Sequence, residues 1–459
     1  MQTCCPRLVV AGTSGDSGKT IASLGLLLAL RRRGLSPAAF KKGPDYIDAA
    51  WLAWAAGAPA RNLDSYMQPA PALRQSFARH ASPELSLVEG NRGLLDGMDG
   101  EGTHSTAALA RLLGAPVVLV VSAAKVTRTV AAPVLGCLRL EPEVTLAGVI
   151  LNRVAGARHE AVARQAVEQL TGVPVLGAIP RWRGPALLPD RHLGLVPPEE
   201  HGEVELAAER ILELVGGHVD LERILEVARS VPPLELPSAP PASPVARRVR
   251  VGVFRDSAFT FYYPENLEAL EAAGAELVPI SGLDDPHLPP GLGALYLGGG
   301  FPETHGPHLS QNESLRAEVR QAAEAGMPIH AECGGLIYLG RSLSTPEGTF
   351  PMAGVLPVDL ILEPRPVGHG YVSLRVDREN SIFPVGQELR GHEFHYTRVV
   401  VADPASISLA FEVRRGAGAV DGRDGFVYKN VLAAYTHLHA IGVPQWAPAL
   451  VDRAVRWTS

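Results

Sequence analysis

The sequence predicts an α/β protein of two domains, the first of which is built on a parallel sheet. Apolar runs rich in Val, Leu and Ile recur at residues 8–12, 117–123 and 146–152, and helical stretches separate them. These runs are continuous rather than alternating, which is typical of strands buried on both faces of a parallel sheet. The same alternation begins again at residues 249–256, and a chain of 459 residues is too long for one ordinary core.

A proline-rich segment separates the two predicted domains. Residues 231–247 contain six prolines in seventeen positions. Proline continues neither a helix nor a central strand, so this segment is predicted to be a stiff extended spacer. We therefore place the first domain at residues 1–230, the linker at 231–247 and the second domain at 248–459.

The composition excludes several classes of function. A net charge of −6 provides no basic surface for nucleic acid, and four cysteines make neither a disulfide framework nor a Cys/His metal cluster. No apolar run reaches the length of a membrane span, and the first twelve residues lack the apolar core of a signal peptide. We therefore expect a cytoplasmic protein without a nucleic-acid or membrane partner.

A glycine-rich loop at residues 12–20 lies between a predicted strand and a helix predicted over residues 19–33. The free N–H groups and the positive end of that helix favour a phosphate. Lys19 is predicted to contact the β- and γ-phosphates, and Thr20 to ligate Mg²⁺. The other predicted nucleotide-binding residues of the loop are Gly12, Thr13, Gly15, Ser17 and Gly18. Gly12 stands one residue further from Gly18 than in the usual motif, and the alternative is a tight turn that binds nothing.

Other strand ends carry polar residues that suit the same site. Glu89 ends an apolar strand where an acid would polarise Mg²⁺, although a solvated loop residue is the alternative. Residues 40–48 mix cations and acids at a strand's carboxyl edge, which suits an acidic substrate that meets ATP. Asn152 and Arg153 end another strand, and either a contact with the nucleotide base or a simple loop role fits them.

A second candidate site surrounds Cys333. Residues 329–335 predict a strand, a sharp turn and a helix, with Cys333 at the turn. That arrangement exposes a nucleophile and leaves the N–H of Gly334 to stabilise an oxyanion. Gly299 and Gly300 end an earlier strand and are candidates for the second oxyanion donor.

The cysteine needs a general base to form its thiolate. His437 is the first candidate, and His392 and His395 compete with it. The alternative is a buried structural cysteine beside unrelated histidines, because free cysteine is commonly buried.

Seven motifs in fixed order span nearly the whole chain, and together they resemble the cobyrinate a,c-diamide synthase family. That family joins a nucleotide-binding amidoligase domain to a class I glutamine amidotransferase-like domain. The motifs are FKKGPDYID (40–48), VEGNRGLLDG (88–97), DRHLGLVPPEE (190–200), LGGGFPE (297–303), AECGGLIYL (331–339), RGHEFHY (390–396) and AAYTHLHA (433–440).

The resemblance implies that the second domain hydrolyses L-glutamine, with Cys333 as nucleophile and His437 as its partner. It implies that the first domain uses ATP and Mg²⁺ to phosphorylate the a and c acetate side chains of a tetrapyrrole, which ammonia then converts to amides. A homodimer is the assembly we expect. The residues assigned to the synthetase site are Asp45, Tyr46, Glu89 and Asp96, those assigned to the metal are Thr20, Asp45 and Glu89, and those assigned to the substrate are Lys42, Asp48, Asn91 and Arg92.

Two departures from the family pattern leave alternatives open. Many class I amidotransferases carry H-x-E at the base, whereas this chain has His437-Leu438-His439, so a Cys–His dyad is predicted without a third member. The Asn91-Arg92 pair looks more like relatives that act on sirohydrochlorin or sirohaem. The competing functions are a cobyric acid synthase-like amidase, a MinD-like ATPase switch with an inactive amidotransferase domain, and a glutaminase that ATP merely regulates.

Overall fold

The computed structural model describes residues 2–191, 194–236 and 248–458. The chain divides into two compact units, Met1–Pro240 and Pro241–Ser459, called here the N-terminal and C-terminal units. Most of the predicted proline-rich linker, residues 237–247, lies outside the described residues. Within the described part of the chain, no helix combines the length and apolar character needed to cross a membrane.

The N-terminal unit alternates strands and helices along most of its length. Its strands are β1 Gln2–Thr3, β2 Arg7–Gly12, β3 Ala38–Lys42, β4 Arg61–Leu63, β5 Ser86–Gly93, β6 Val117–Ser122, β7 Leu146–Val154, β8 Val175–Pro180, β9 Asp190–Arg191, β10 Gly194–Leu195 and β11 Leu234–Glu235. Its helices are α1 Lys19–Arg32, α2 Tyr46–Ala56, α3 Ala70–His80, α4 Thr106–Leu113, α5 Ala131–Leu140, α6 Ala157–Thr171, α7 Val204–Gly216 and α8 Leu221–Arg229.

A seven-stranded sheet forms the centre of the N-terminal unit, with the order β4-β3-β5-β2-β6-β7-β8. All its strand pairs are parallel. Along β2, Val9 belongs to the core on one face of the sheet and Leu8 and Val10 to the core on the other. Burial on both faces explains why these strands read as continuous apolar runs, and the predicted fold class is confirmed. The carboxyl ends of β2, β3 and β5 therefore meet at one edge of the sheet.

The C-terminal unit begins with the same kind of alternation and then becomes rich in strands. Its strands are β12 Val249–Phe254, β13 Ala275–Ile280, β14 Leu292–Leu297, β15 Ile329–Glu332, β16 Ser342–Thr345, β17 Gly348–Pro351, β18 Val358–Leu362, β19 Gly368–Val376, β20 Glu388–His395, β21 Thr397–Val401, β22 Leu409–Arg415, β23 Arg423–Tyr428, β24 Val431–Ala434 and β25 His437–Leu438. Its helices are α9 Pro264–Ala272, α10 Gly306–Gln311, α11 Glu313–Ala325, α12 Gly334–Leu339 and α13 Trp446–Thr458.

A ten-stranded mixed sheet organises the C-terminal unit, with the order β13-β12-β14-β15-β24-β23-β22-β19-β20-β25. The first five strands pair in parallel, as the apolar runs predict. The remaining pairs are antiparallel, and residues 342–428 supply most of these strands and a separate four-stranded sheet. Strand β24 ends at Ala434, and His437 lies on the separate short strand β25.

The buried carboxylate of Asp424 fixes the turn between β24 and β25. Its Oδ1 accepts hydrogen bonds from the backbone N–H of Gly425 (2.9 Å) and of Tyr435 (3.0 Å). Its Oδ2 accepts from the backbone N–H of Thr436 (3.1 Å) and from that residue's hydroxyl (2.8 Å). The residue is fully buried. The segment that leads into His437 therefore depends on one acid for its hydrogen bonds.

We predict that Asp424→Ala lowers the free energy of unfolding of the C-terminal unit by about 3–5 kcal/mol, because it leaves buried N–H donors unpaired. Calorimetry or urea unfolding of the full chain measures this loss. The matched control is Asp452→Ala, which removes an exposed ion pair with Arg248 (2.8 Å) and is expected to cost less than about 1 kcal/mol. Equal losses in the two variants would contradict the assigned role of Asp424.

Candidate active sites

The glycine-rich loop connects β2 to α1 and ends in a left-handed glycine. Gly18 has φ 91° and caps the first turn of α1. The Nζ of Lys19 lies 3.3 Å from the carbonyl oxygens of both Ser14 and Gly15, so the ammonium curls back over the loop. Burial and the neighbouring Lys41 lower the pKa of Lys19. An anion placed here would restore the balance of charge around the lysine.

Asn152 closes the loop from the neighbouring strand β7. Its side-chain amide donates to the carbonyl of Ser17 at 2.9 Å. The hydroxyls of Thr13 and Ser17 lie 3.2 Å apart. Asn152 and Gly18 also line a cavity of about 1290 Å³, together with Lys125, Arg153, His159, Arg181 and Trp182. The loop thus opens directly into a space that is large enough for a nucleoside.

A buried cluster of charges lies beside the loop, at the carboxyl edge of β3 and β5. The Nζ of Lys41 contacts Oδ2 of Asp48 at 2.5 Å and Oε1 of Glu89 at 2.7 Å. The hydroxyl of Thr20 donates to the same Glu89 oxygen at 3.1 Å. Burial opposes the charge of Lys41, but the carboxylates of Asp48, Glu89 and Asp45 outweigh burial and raise its pKa.

Asp45 caps helix α2, where its Oδ1 accepts the backbone N–H of Asp48 at 2.9 Å. Burial and the charge of Asp48 raise the pKa of Asp45 to about 7. Tyr46 is the first residue of the same helix. The structure thus brings the predicted residues Thr20, Asp45, Asp48 and Glu89 together around one lysine.

One carboxylate oxygen of Glu89 indicates whether these residues fit a magnesium ion. Its Oε2 is buried and has no hydrogen-bond partner among the described residues. Over the same residues, no group of three or more His, Cys, Asp and Glu side chains is arranged to hold a metal alone. Magnesium commonly takes one or two protein carboxylates and completes its octahedron with water and nucleotide phosphates. Thr20, Asp45 and Glu89 therefore fit an ion that arrives with a nucleotide.

Among the residues predicted to contact the substrate, Lys42 ends β3, Asp48 lies in the first turn of α2, and the Asn91-Arg92 pair lies near the end of β5. Lys42 is buried, and burial lowers its pKa. Arg92 is exposed and has φ 51°, an uncommon backbone conformation for a side chain of this size. The N–H of Asn91 donates to the hydroxyl of Thr106 at 3.2 Å. Asp96 accepts the N–H of Gly93 at 2.8 Å, so it shapes the turn after β5.

In the C-terminal unit, Cys333 occupies the sharp turn between β15 and α12. Its φ of 48° and ψ of −98° are strained for a residue with a side chain. Its Sγ lies 3.8 Å from the carbonyl oxygen of Phe394. Burial and the charge of Glu303 raise the pKa of the thiol.

The predicted oxyanion glycines lie close together. A Cβ atom at Gly334 would lie 3.0 Å from the backbone nitrogen of Gly300, and a Cβ at Gly299 would lie 2.5 Å from Cε1 of His437. Only glycine therefore allows these three segments to approach so closely. The structure brings together Cys333 with its following N–H, the Gly299-Gly300 segment after β14 and the ring of His437.

The three candidate histidines have different surroundings. His437 pairs with His392 across β25 and β20, and their rings stack with centroids 4.8 Å apart. Burial and the neighbouring His437 lower the pKa of His392. The ring of His395 stacks on Tyr435 at 3.6 Å, and its Nδ1 lies 2.9 Å from the carbonyl oxygen of Thr397. His437 is the candidate that lies against the oxyanion glycines.

Two residues of these sites were missed by sequence reasoning. Lys41 is adjacent to Lys42, which was assigned to the substrate from the sequence. The two side chains have different surroundings because successive residues of β3 point in opposite directions. Glu332 stands next to Cys333, and its Oε2 lies 3.8 Å from Nδ1 of His437. The sequence did offer a signal for Glu332, because it is a carboxylate at the end of a predicted strand and directly precedes Cys333.

Each of the two units matches a known domain family. Residues 8–196 match the CobQ/CobB/MinD/ParA nucleotide binding domain, and residues 250–443 match the CobB/CobQ-like glutamine amidotransferase domain. The fold and sites therefore define a nucleotide-binding domain fused to a glutamine amidotransferase domain.

Relatives of nearly full length identify the family. A cobyrinate a,c-diamide synthase of Magnetococcus marinus is 44% identical, with 97% of this chain and 96% of that protein covered. The proteins of the same name from Archaeoglobus fulgidus (41% identical, 98% of each chain) and Dehalococcoides mccartyi strain CBDB1 (40% identical, 95% of each chain) are also similar. The chain belongs to the cobyrinate a,c-diamide synthase family, and the resemblance seen in the sequence is confirmed.

We predict that Lys41→Met lowers the free energy of unfolding of the N-terminal unit by about 3–5 kcal/mol, because it leaves two carboxylates without their cation. Thermal unfolding of the full chain without nucleotide measures the change. Arg33→Met is the control, since it removes an ion pair with Glu222 whose side chains are 47% and 70% exposed, and it is expected to cost less than about 1 kcal/mol. A Lys41→Met protein as stable as this control would refute the role of Lys41 as the compensating charge.

Proposed function

We propose that this protein amidates the a and c acetate carboxylates of cobyrinic acid, with ATP and L-glutamine as co-substrates. The observation that carries the proposal is the presence, in one chain, of a phosphate-binding loop beside a carboxylate cluster and of a strained cysteine beside His437. The names of the full-length relatives support cobyrinic acid as the substrate.

In the proposed first reaction, the N-terminal unit activates the carboxylate. A carboxylate is a poor electrophile at neutral pH, so an oxygen of the acetate attacks the γ-phosphorus of ATP and ADP leaves. Lys19 and the loop N–H groups would bind the phosphates, and Asn152 would hold the nucleoside side of the loop. Magnesium, held by Thr20, Asp45 and Glu89, would neutralise phosphate charge when bound. Ammonia then attacks the carbonyl carbon of the acyl phosphate, and phosphate departs.

The remaining predicted residues of the N-terminal unit would orient the macrocycle and its acetate. Lys42 and Arg92 are cations beside the cluster and suit the several carboxylates of a tetrapyrrole. Asp48 and Asn91 would complete this substrate side, while Tyr46 and Asp96 would shape its walls. These roles are proposals that substitution of each residue can test.

In the proposed second reaction, the C-terminal unit releases ammonia from glutamine. The sulfur of Cys333 attacks the side-chain amide carbon and transfers its proton to His437. The N–H groups of Gly334 and of the Gly299-Gly300 strand end would stabilise the oxyanion. The C–N bond breaks as the leaving amide nitrogen takes the proton from His437 and departs as ammonia. Water then hydrolyses the thioester to give glutamate and the free thiol of Cys333.

The experiment that tests this function is a substrate panel measured by mass spectrometry. The protein is incubated with glutamine, Mg-ATP and, separately, cobyrinic acid, sirohydrochlorin, nickel sirohydrochlorin and sirohaem. We expect two carboxyl-to-amide mass changes on cobyrinic acid alone. If a sirohydrochlorin-type macrocycle is amidated instead, the substrate is the one used by the relatives whose Asn-Arg pair Asn91-Arg92 resembles. Glutamate release without any amidated product would favour a glutaminase, and neither reaction would favour an ATPase switch.

We predict that substitutions in the two units affect different activities. Cys333→Ala should lower glutamine-driven amidation by about 10³-fold or more, while amidation with ammonium chloride persists. Lys19→Ala should lower amidation by about 10²-fold or more with either nitrogen source, because the phosphates lose their cation. Amide formation is followed with both nitrogen sources in each variant, with circular dichroism to check folding. If a folded Cys333→Ala protein loses both activities, the proposed division of labour is wrong.

We also propose that the protein forms a homodimer and lies in the cytoplasm. Sedimentation equilibrium of the full chain tests the first, and fractionation of cells that express it tests the second.

A further inference from the structure

Glu332 is a buried acid that the proposed chemistry has not used. It is the last residue of β15 and directly precedes Cys333, and only 1% of its surface is exposed. Its Oε2 lies 3.8 Å from Nδ1 of His437, and its Oε1 accepts the backbone N–H of Leu438 at 3.1 Å. The same carboxylate therefore contacts both the ring of His437 and the backbone immediately after it.

The position that would carry an acid in an H-x-E pattern is occupied by His439, which lies in different surroundings. His439 is fully buried, its Nε2 lies 3.7 Å from Oε2 of Glu265, and its ring packs on Tyr263 with centroids 4.5 Å apart. The carboxylate beside His437 thus comes from the strand that presents the nucleophile rather than from the residue after Leu438.

We propose that Glu332 is the positioning residue of the glutaminase site, which holds the Nδ1 side of His437 and thereby turns Nε2 toward Cys333. The proposal rests on the roles proposed above for Cys333 and His437. The geometry of the ring supports it, because a Cβ at Gly299 would lie 3.3 Å from Nε2, on the side of the oxyanion glycines. A carboxylate on one ring nitrogen fixes the tautomer and stabilises the imidazolium when the other nitrogen takes a proton.

The proton balance of the step leaves Glu332 ionised throughout. As the C–S bond forms, the thiol proton moves to Nε2 of His437, and that proton then leaves with ammonia when the C–N bond breaks. Glu332 only offsets the transient positive charge. Its own state supports this role, since burial would raise its pKa but the neighbouring His330 and His437 lower it to about 2.

Other polar groups face this pair and define the controls. The hydroxyl of Tyr296 donates to Oε2 of Glu332 at 3.1 Å, and Nε2 of His330 lies 3.4 Å from Oε1. On the other side of His437, the ring of His392 stacks at 4.8 Å. A purely structural Glu332 would act through His330 and Tyr296, whereas a positioning Glu332 acts through His437.

The test compares Glu332→Gln with the unchanged protein in glutaminase and ammonia-driven assays across pH. Gln keeps the size of the side chain and an oxygen for the N–H of Leu438, but it removes the charge. We expect kcat for glutamine hydrolysis to fall by about 10²–10⁴-fold with KM retained. The acidic limb of the kcat/KM profile should move to lower pH, because an imidazolium without an adjacent carboxylate gives up its proton more readily. Ammonia-driven amidation should be unchanged.

Two controls separate positioning from structure. Glu393→Gln changes a carboxylate that is also 1% exposed and accepts backbone N–H groups, but whose histidine neighbour is His395, so the pH profile should stay as in the parent. His330→Gln should also keep the parent profile. If His330→Gln reproduces the effect of Glu332→Gln, or if Glu332→Gln keeps the parent kcat and pH profile, the proposal is overturned.

A second variant keeps the test decisive if Glu332→Gln does not fold. Glu332→Asp retains the charge but withdraws the carboxylate by one methylene, so kcat should fall about 10-fold with the acidic limb retained. A parent-like kcat in Glu332→Asp would overturn the proposal. Cys333→Ala separates this outcome from the proposed function itself: if that variant still hydrolyses glutamine, the site assignment fails regardless of Glu332.

Discussion

The ion pair between Lys41 and Glu89 is the interaction on which the N-terminal site depends. The two residues lie opposite each other in the parallel pairing of β3 and β5, so the register of the sheet sets their 2.7 Å contact. A buried carboxylate without a cation is costly, and Lys41 compensates Glu89 and Asp48 at once. The same register brings the end of β5 beside Thr20 at the start of α1. The sheet thus assembles the site and supplies the charge that allows acids to gather there.

The C-terminal unit uses backbone N–H groups to hold buried acids near Cys333. Asp424 binds the turn before His437, and Glu332 binds the N–H immediately after it. These two acids fix both ends of a two-residue strand that has few hydrogen bonds of its own. The position of His437 is therefore set by contacts from β15 and β23, which are distant from it in sequence. A short strand held in this way places a ring more accurately than a free loop would.

The parallel parts of both sheets could be predicted from the sequence alone. So could most of the residues that lie together at the carboxyl ends of those strands. Continuous apolar runs mark such strands, and parallel strands present their carboxyl ends on one edge, so Thr20, Asp45 and Glu89 were expected to meet. The antiparallel strands between residues 342 and 428 were not predicted, because short, partly exposed strands lack that signal. Lys41 was passed over for Lys42, since adjacent lysines look alike until the strand's register is known. Glu332 was not predicted to lie beside His437, because the H-x-E pattern places the acid two residues after the histidine. In this chain the acid directly precedes Cys333.

The two sites differ in how their charged groups are arranged. The N-terminal site gathers a cation and acids within contact distance, since Lys41 contacts both Asp48 and Glu89. In the C-terminal site, burial raises the pKa of the Cys333 thiol, while His330 and His437 lower the pKa of the neighbouring Glu332. A protonated thiol reacts slowly with chance electrophiles. In the proposed mechanism, an ionised Glu332 beside His437 would favour proton transfer when an amide carbon is in place to bond to the sulfur, because it would stabilise the imidazolium as the C–S bond forms. The buried charge of Glu332 would therefore assist the reaction of Cys333 with bound glutamine.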